Sequence, residues 1–123
     1  MKKIILLIIT MLSIMTWQSC QYEWIDPIDT VIPDVVSFAG DIQPIFDRSC
    51  NSTGCHATGG VAPDLSPANA YNDLIAKNQI NLANPAGSIL YTKCATGGSM
   101  AKFTKPGDAD LILKWIEQGA LNN

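Results

Sequence analysis

The chain has 123 residues, with eight Lys plus Arg against eleven Asp plus Glu, a formal charge of −3, four cysteines and one histidine. That length makes at most one ordinary domain, and so few cations exclude a phosphate-reading surface, because nucleic-acid contacts need clustered Lys and Arg. A single histidine excludes zinc or di-iron clusters built on several imidazoles, and a core this small would gain from a disulfide, a metal or a cofactor.

The N-terminal segment does not read as part of the domain. Lys2-Lys3, the apolar run Ile4–Ile9 and then Met11, Leu12, Ile14 and Met15 have the charged and apolar regions of a secretory signal. The run is short for a spanning helix, which needs roughly 20 apolar residues. It ends Thr16-Trp17-Gln18-Ser19-Cys20, which resembles the lipobox of bacterial lipoproteins, although Trp17 and Gln18 depart from that family's usual leucine and small residue. The resemblance implies removal of residues 1–19 and lipid modification of Cys20. Lipid chains there would anchor the protein to an envelope membrane, with its domain in the periplasm or at the cell surface. Loss of Lys2 and Lys3 leaves six cations against eleven acids, about −5. Residues 20–36 read as an acidic tether interrupted by Pro27 and Pro33; Val31, Val35 and Val36 could instead form a short extended segment lying on the domain.

From Ser37 the punctuation becomes helical. Phe38, Ile42, Ile45 and Phe46 share one face of a first helix running into Cys50, and Pro44 is tolerated if it falls in the first turn. The segment from Cys50 to Pro67 is loop. Ser66-Pro67 predicts a second start, with Tyr71, Leu74 and Ile75 on one face, and Asn84-Pro85 predicts a third, with Ile89, Leu90 and Cys94 inward and Gly97-Gly98 as its stop. Asp108 is expected to cap a last helix carrying Leu111, Ile112, Trp115 and Ile116, ended by Gly119. With no sustained strand alternation and no repeat, residues 37–123 predict an all-α domain of about four short helices with long loops.

The distinctive string is Cys50-Asn51-Ser52-Thr53-Gly54-Cys55-His56. Two cysteines followed at once by histidine form the attachment arrangement of a c-type haem: the sulfurs bond the vinyl groups and the imidazole reaches the iron. The usual gap is two residues and here it is four. A histidine-ligated iron often takes a methionine on its other side, and Met100 is the one methionine left after the leader. The plain alternative is a Cys50–Cys55 disulfide with His56 an ordinary loop residue.

Residues 38–121 resemble a class I cytochrome c domain. The resemblance rests on the helix running into the motif, Phe38, Asp41-Ile42 and Pro44-Ile45-Phe46, the methionine loop, and the ending Trp115-Ile116-Glu117-Gln118-Gly119-Ala120. Ala101 stands where that family commonly has proline. The resemblance implies one covalent haem c, held by Cys50, Cys55, His56 and Met100, with His56 and Met100 on the iron, in a small fold built around it. Cys94 is left either as a buried thiol or as a disulfide partner of Cys50 or Cys55; Cys94 and Lys102 are the other conceivable distal ligands. Trp115 reads as core.

The function so implied is a membrane-tethered monohaem carrier passing single electrons between envelope redox proteins, its acidic surface steering it toward basic partners. The competing reading is a haem-free, disulfide-stapled lipoprotein module that binds another envelope component. No nucleophile–base pair points to an enzyme, and oligomeric state is not legible.

Overall fold

The computed structural model describes residues 32–123; the leader, Cys20 and most of the tether lie outside the described residues. Ser37 opens the first helical segment. Its Oγ accepts from the Gly40 N–H at 3.1 Å while its own N–H donates to Asp41 Oδ2 at 2.7 Å, so two amides that a helix start would leave unpaired are satisfied reciprocally. A π-helical turn, Phe38–Ile42, then runs directly into α1, Gln43–Ser49. Pro44 sits in the first turn of α1, where its missing N–H costs nothing.

Three further helices follow: α2 is Ala70–Ala76, α3 is Ile89–Cys94 and α4 is Asp108–Glu117. Short 3₁₀ turns at Pro85–Gly87 and Ala101–Phe103 lead into α3 and out of the Met100 segment. Among the described residues there is no strand, so the all-α expectation holds. No described helix is long and apolar enough to cross a membrane.

The core forms where the π-helical turn Phe38–Ile42 meets α4, with α3 also packed on α4. Trp115 is buried, with its ring centroid 5.3 Å from Phe38, and Tyr71 lies 5.3 Å from Phe38 on another side. Offset and edge contacts of this kind add to area burial. Ile42, Ile45, Phe46, Leu74, Ile112 and Ile116 close the cluster. The polar tips are used as well: Trp115 Nε1 donates to the Leu121 carbonyl at 2.9 Å and Tyr71 OH to the Ala120 carbonyl at 3.1 Å. Trp115 is thus a core residue, as its spacing predicts.

The start signals mark the right places but are displaced by a few residues. Ser66-Pro67 opens a turn whose carbonyl accepts from Asn69 and Ala70, and α2 begins only at Ala70. Asn84-Pro85 begins the 3₁₀ turn, and buried Ser88 precedes α3. Gly107, not Asp108, occupies the cap position of α4; Asp108 is its first residue and binds the Lys105 N–H through Oδ2 at 2.7 Å. Two expected inward residues point outward, Ile75 at 46% exposure and Ile89 at 45%. On α2 the buried pair is Ala70 and Leu74, and one residue further turns Ile75 about 100° away from it. The packed unit also starts before Ser37: Val36 is buried, and its N–H donates to Gln118 Oε1 at 2.9 Å.

Candidate haem site

Cys50 terminates α1, its N–H still bonded to the Phe46 carbonyl at 2.8 Å. The next four residues make a closed turn: Cys55 N–H donates to Ser52 O at 2.9 Å and His56 N–H to Cys50 O at 3.1 Å. Gly54 takes a φ of 82°, the left-handed conformation that a side chain disfavours. The longer gap is therefore absorbed within the turn, and Cys55-His56 is brought back to the end of α1.

His56 is oriented by backbone. Its Nδ1 lies 3.0 Å from both the Val61 and the Pro63 carbonyl oxygens. Carbonyls only accept, so Nδ1 must carry the proton and Nε2 is the nitrogen left with a free lone pair. Such a hydrogen bond is how proteins fix the tautomer and ring plane of a metal-binding imidazole. The loop that supplies these carbonyls is held by Val61 N–H to Cys55 O and Leu65 N–H to His56 O, both 2.7 Å. Gly60 lies so close to the Cys55 and Ala57 carbonyls that a Cβ would overlap them.

Met100 is brought to the same place from the other side of the fold. Its N–H donates to the Lys93 carbonyl at 2.9 Å, and Thr104 Oγ1 reaches the Cys94 carbonyl at 3.3 Å, tying the methionine loop to the end of α3. Gly98 packs against the Thr92 and Lys93 carbonyls with no room for a side chain.

Two adjoining clefts of about 260 and 240 Å³ share Cys50, His56, Val61 and Met100 on their walls. Either alone is smaller than a usual cofactor pocket; together they fall within the roughly 300–1,000 Å³ range. Cys55 borders one cleft, while Leu90 and Cys94 border the other. A larger cleft of about 460 Å³ shares only Cys94 with them; Thr96, Thr104, Lys105 and Asp110 make its wall polar, and it holds neither His56 nor Met100.

The four residues that the sequence singles out, Cys50, Cys55, His56 and Met100, thus border one composite space. Lys102 is not on either wall: its Nζ lies over the Phe103 ring, 4.9 Å from the centroid. No disulfide joins Cys50, Cys55 and Cys94. Burial pushes the Cys94 thiol up to about 12, helped by the negative charges that Cys50 and Asp108 would place beside a thiolate; burial also raises Cys50. Both stay protonated at neutral pH. The sequence reading missed the Val61 and Pro63 carbonyls, for which Gly59-Gly60 is the available signal, and the rim residues Ile89, Lys93 and Phe103, which carry none.

The donor set suits a haem. It offers two thiols, a tautomer-fixed imidazole and a thioether around a mainly apolar space. Searches of family models, curated proteins and solved structures found no match to this chain.

Proposed function

We propose that the domain is a monohaem c-type cytochrome that carries single electrons, tethered to an envelope membrane through Cys20. The observation that carries this reading is that His56, its Nδ1 proton committed to two carbonyls, and Met100 border the same apolar cleft beside Cys50 and Cys55. A bound haem would supply an iron centre alternating between ferric and ferrous states. Cys50 and Cys55 would hold it covalently, and the His56 imidazole and Met100 thioether would donate to its iron. The protein's part is to keep those ligands in place before the electron arrives. His56 cannot rotate without breaking two hydrogen bonds, and Met100 cannot withdraw without detaching its loop from Lys93 and Cys94. Phe46, Leu65 and Leu90 make the inner wall apolar, which would favour the less charged state of a bound iron centre.

The protein produced in a host that attaches haem tests this by its native visible spectrum, with denaturing extraction showing that the haem is covalent. Expected is a covalent haem absorption that is lost in His56→Ala and becomes high-spin in Met100→Ala. Colourless protein, or an unchanged low-spin spectrum in both variants, would overturn the reading.

A further inference from the structure

His56 and Met100 come from two parts of the chain with little polar bonding between them. Residues 37–67 carry Cys50, Cys55 and His56, and residues 88–117 carry Met100. Among the described residues one hydrogen-bonded link crosses between these segments: Arg48 Nη2 donates to Asp108 Oδ1, an ion pair between the last turn of α1 and the first residue of α4. The other oxygen of the same carboxylate, Oδ2, accepts from the Lys105 N–H at 2.7 Å. Arg48 stands two residues before Cys50, and Lys105 five residues after Met100. The bonds to the Lys93 and Cys94 carbonyls fix the methionine loop on α3, whereas Asp108 fixes its far end to the helix that delivers Cys50. Burial chiefly, and then the Asp108 charge, raises the Cys50 thiol while Arg48 opposes, so the pair is also within electrostatic reach of the attachment turn.

We propose that Asp108 is a positioning residue: by bridging Arg48 and Lys105, its carboxylate holds the Met100 loop in register with the Cys50–His56 turn. Asp108 lines neither of the two clefts and acts through its partners. Its side chain is 6% exposed, and that of Arg48 reaches in from the surface at 34%. An ion pair so placed contributes little net stability, because desolvation offsets the attraction, but its directed bonds specify one arrangement of the groups that it joins. The start of α4 needs only the Lys105 bond; the bond to Arg48 is what reaches α1. As a role toward a bound iron this rests on the haem reading above; as a link between the two loops it does not.

The test uses the full chain, matured in a haem-attaching host and labelled with ¹⁵N and ¹³C-methyl methionine. The decisive variant is Arg48→Met/Asp108→Leu, because apolar side chains of similar size in place of an ion pair keep stability while removing the bridge. Its urea midpoint should stay near that of wild type. Two signals should each fall about tenfold: the hydrogen-exchange protection of the Lys105 amide, and the population of Met100 methyl carrying the upfield ring-current shift of an iron-bound thioether. Asp108→Asn is the second variant: its one amide oxygen can serve Arg48 or Lys105 but not both, and the same two signals should fall. Arg48→Lys, which keeps the pair, should retain both, and truncation of buried Leu74 to Ala should lower the midpoint without moving either. Wild-type signals in the first two variants, or an equal loss in Leu74→Ala, would overturn the proposal. Haem is read from the absorbance of the same samples. If wild type holds none, the electron carrier is rejected and Lys105 protection decides the bridge by the same comparison; haem with unchanged signals in the variants rejects the bridge and keeps the carrier.

Discussion

His56 gains its orientation from two carbonyl groups, and the loop carrying them is fastened by a second residue, Asp64. The Asp64 carboxylate is held at about 2 by hydrogen bonds, chiefly from Ser66 and then Asn69; the Ser66 N–H lies 2.9 Å from one oxygen and Asn69 Nδ2 2.9 Å from the other. An unfolded aspartate titrates near 3.8, so the stabilisation from Asp64 is complete above that pH and is lost as pH falls toward about 2. Urea midpoints of wild type and Asp64→Ala should therefore differ most above pH 4 and converge as pH falls to 2. A difference that does not change with pH would mean that the carboxylate charge is not what holds the loop. Cys94 makes a second prediction at this scale. In the haem-free folded chain, exposed Cys55 should react with iodoacetamide at pH 8 while buried Cys94 does not, as read by peptide mass.

At the scale of elements, glycine decides how the His56 and Met100 loops lie. Gly60 and Gly98 are small because carbonyl groups occupy the space a Cβ would need, whereas Gly54 has open space around it and only its φ of 82° to defend. Gly60→Ala and Gly98→Ala should each cost about 1–3 kcal/mol through forced displacement, and Gly54→Ala about 1–2 kcal/mol through conformation alone. Chemical denaturation orders them. If Gly60→Ala proved as stable as wild type, the close packing of the His56 loop would be wrong. The helices themselves were legible because their apolar spacing is regular: Ile42, Ile45 and Phe46, or Ile112, Trp115 and Ile116, name their faces without help. Their starts were less legible, since Ser66-Pro67 and Asn84-Pro85 can open a turn before a helix as easily as the helix itself. Ile75 and Ile89 misled because short helices leave apolar residues outside the buried stripe, and only the fold shows that Ile89 borders a cleft.

For the whole molecule, the aromatic cluster joins both ends of the described chain to its centre. Phe38 and Trp115 pack together, while Val36, Ser37 and Phe38 bond to Gln118 and Asn123. Trp115→Ala should cost about 3–5 kcal/mol, a large part of what a domain this size possesses; calorimetry reads it as a depressed Tm. Cysteine spacing made Cys50, Cys55 and His56 legible, but the meeting of Met100 with them depends on Lys93 and Cys94 carbonyls about 40 residues downstream of the motif, which no local pattern records. The central claim concerns what fills the cleft between them. Mass spectrometry of the proteolytic peptide containing Cys50 to His56, from protein matured in a haem-attaching host, tests it most directly: a haem-sized increment bound through both cysteines is the predicted result, and an unmodified peptide or one closed by a Cys50–Cys55 disulfide would contradict it.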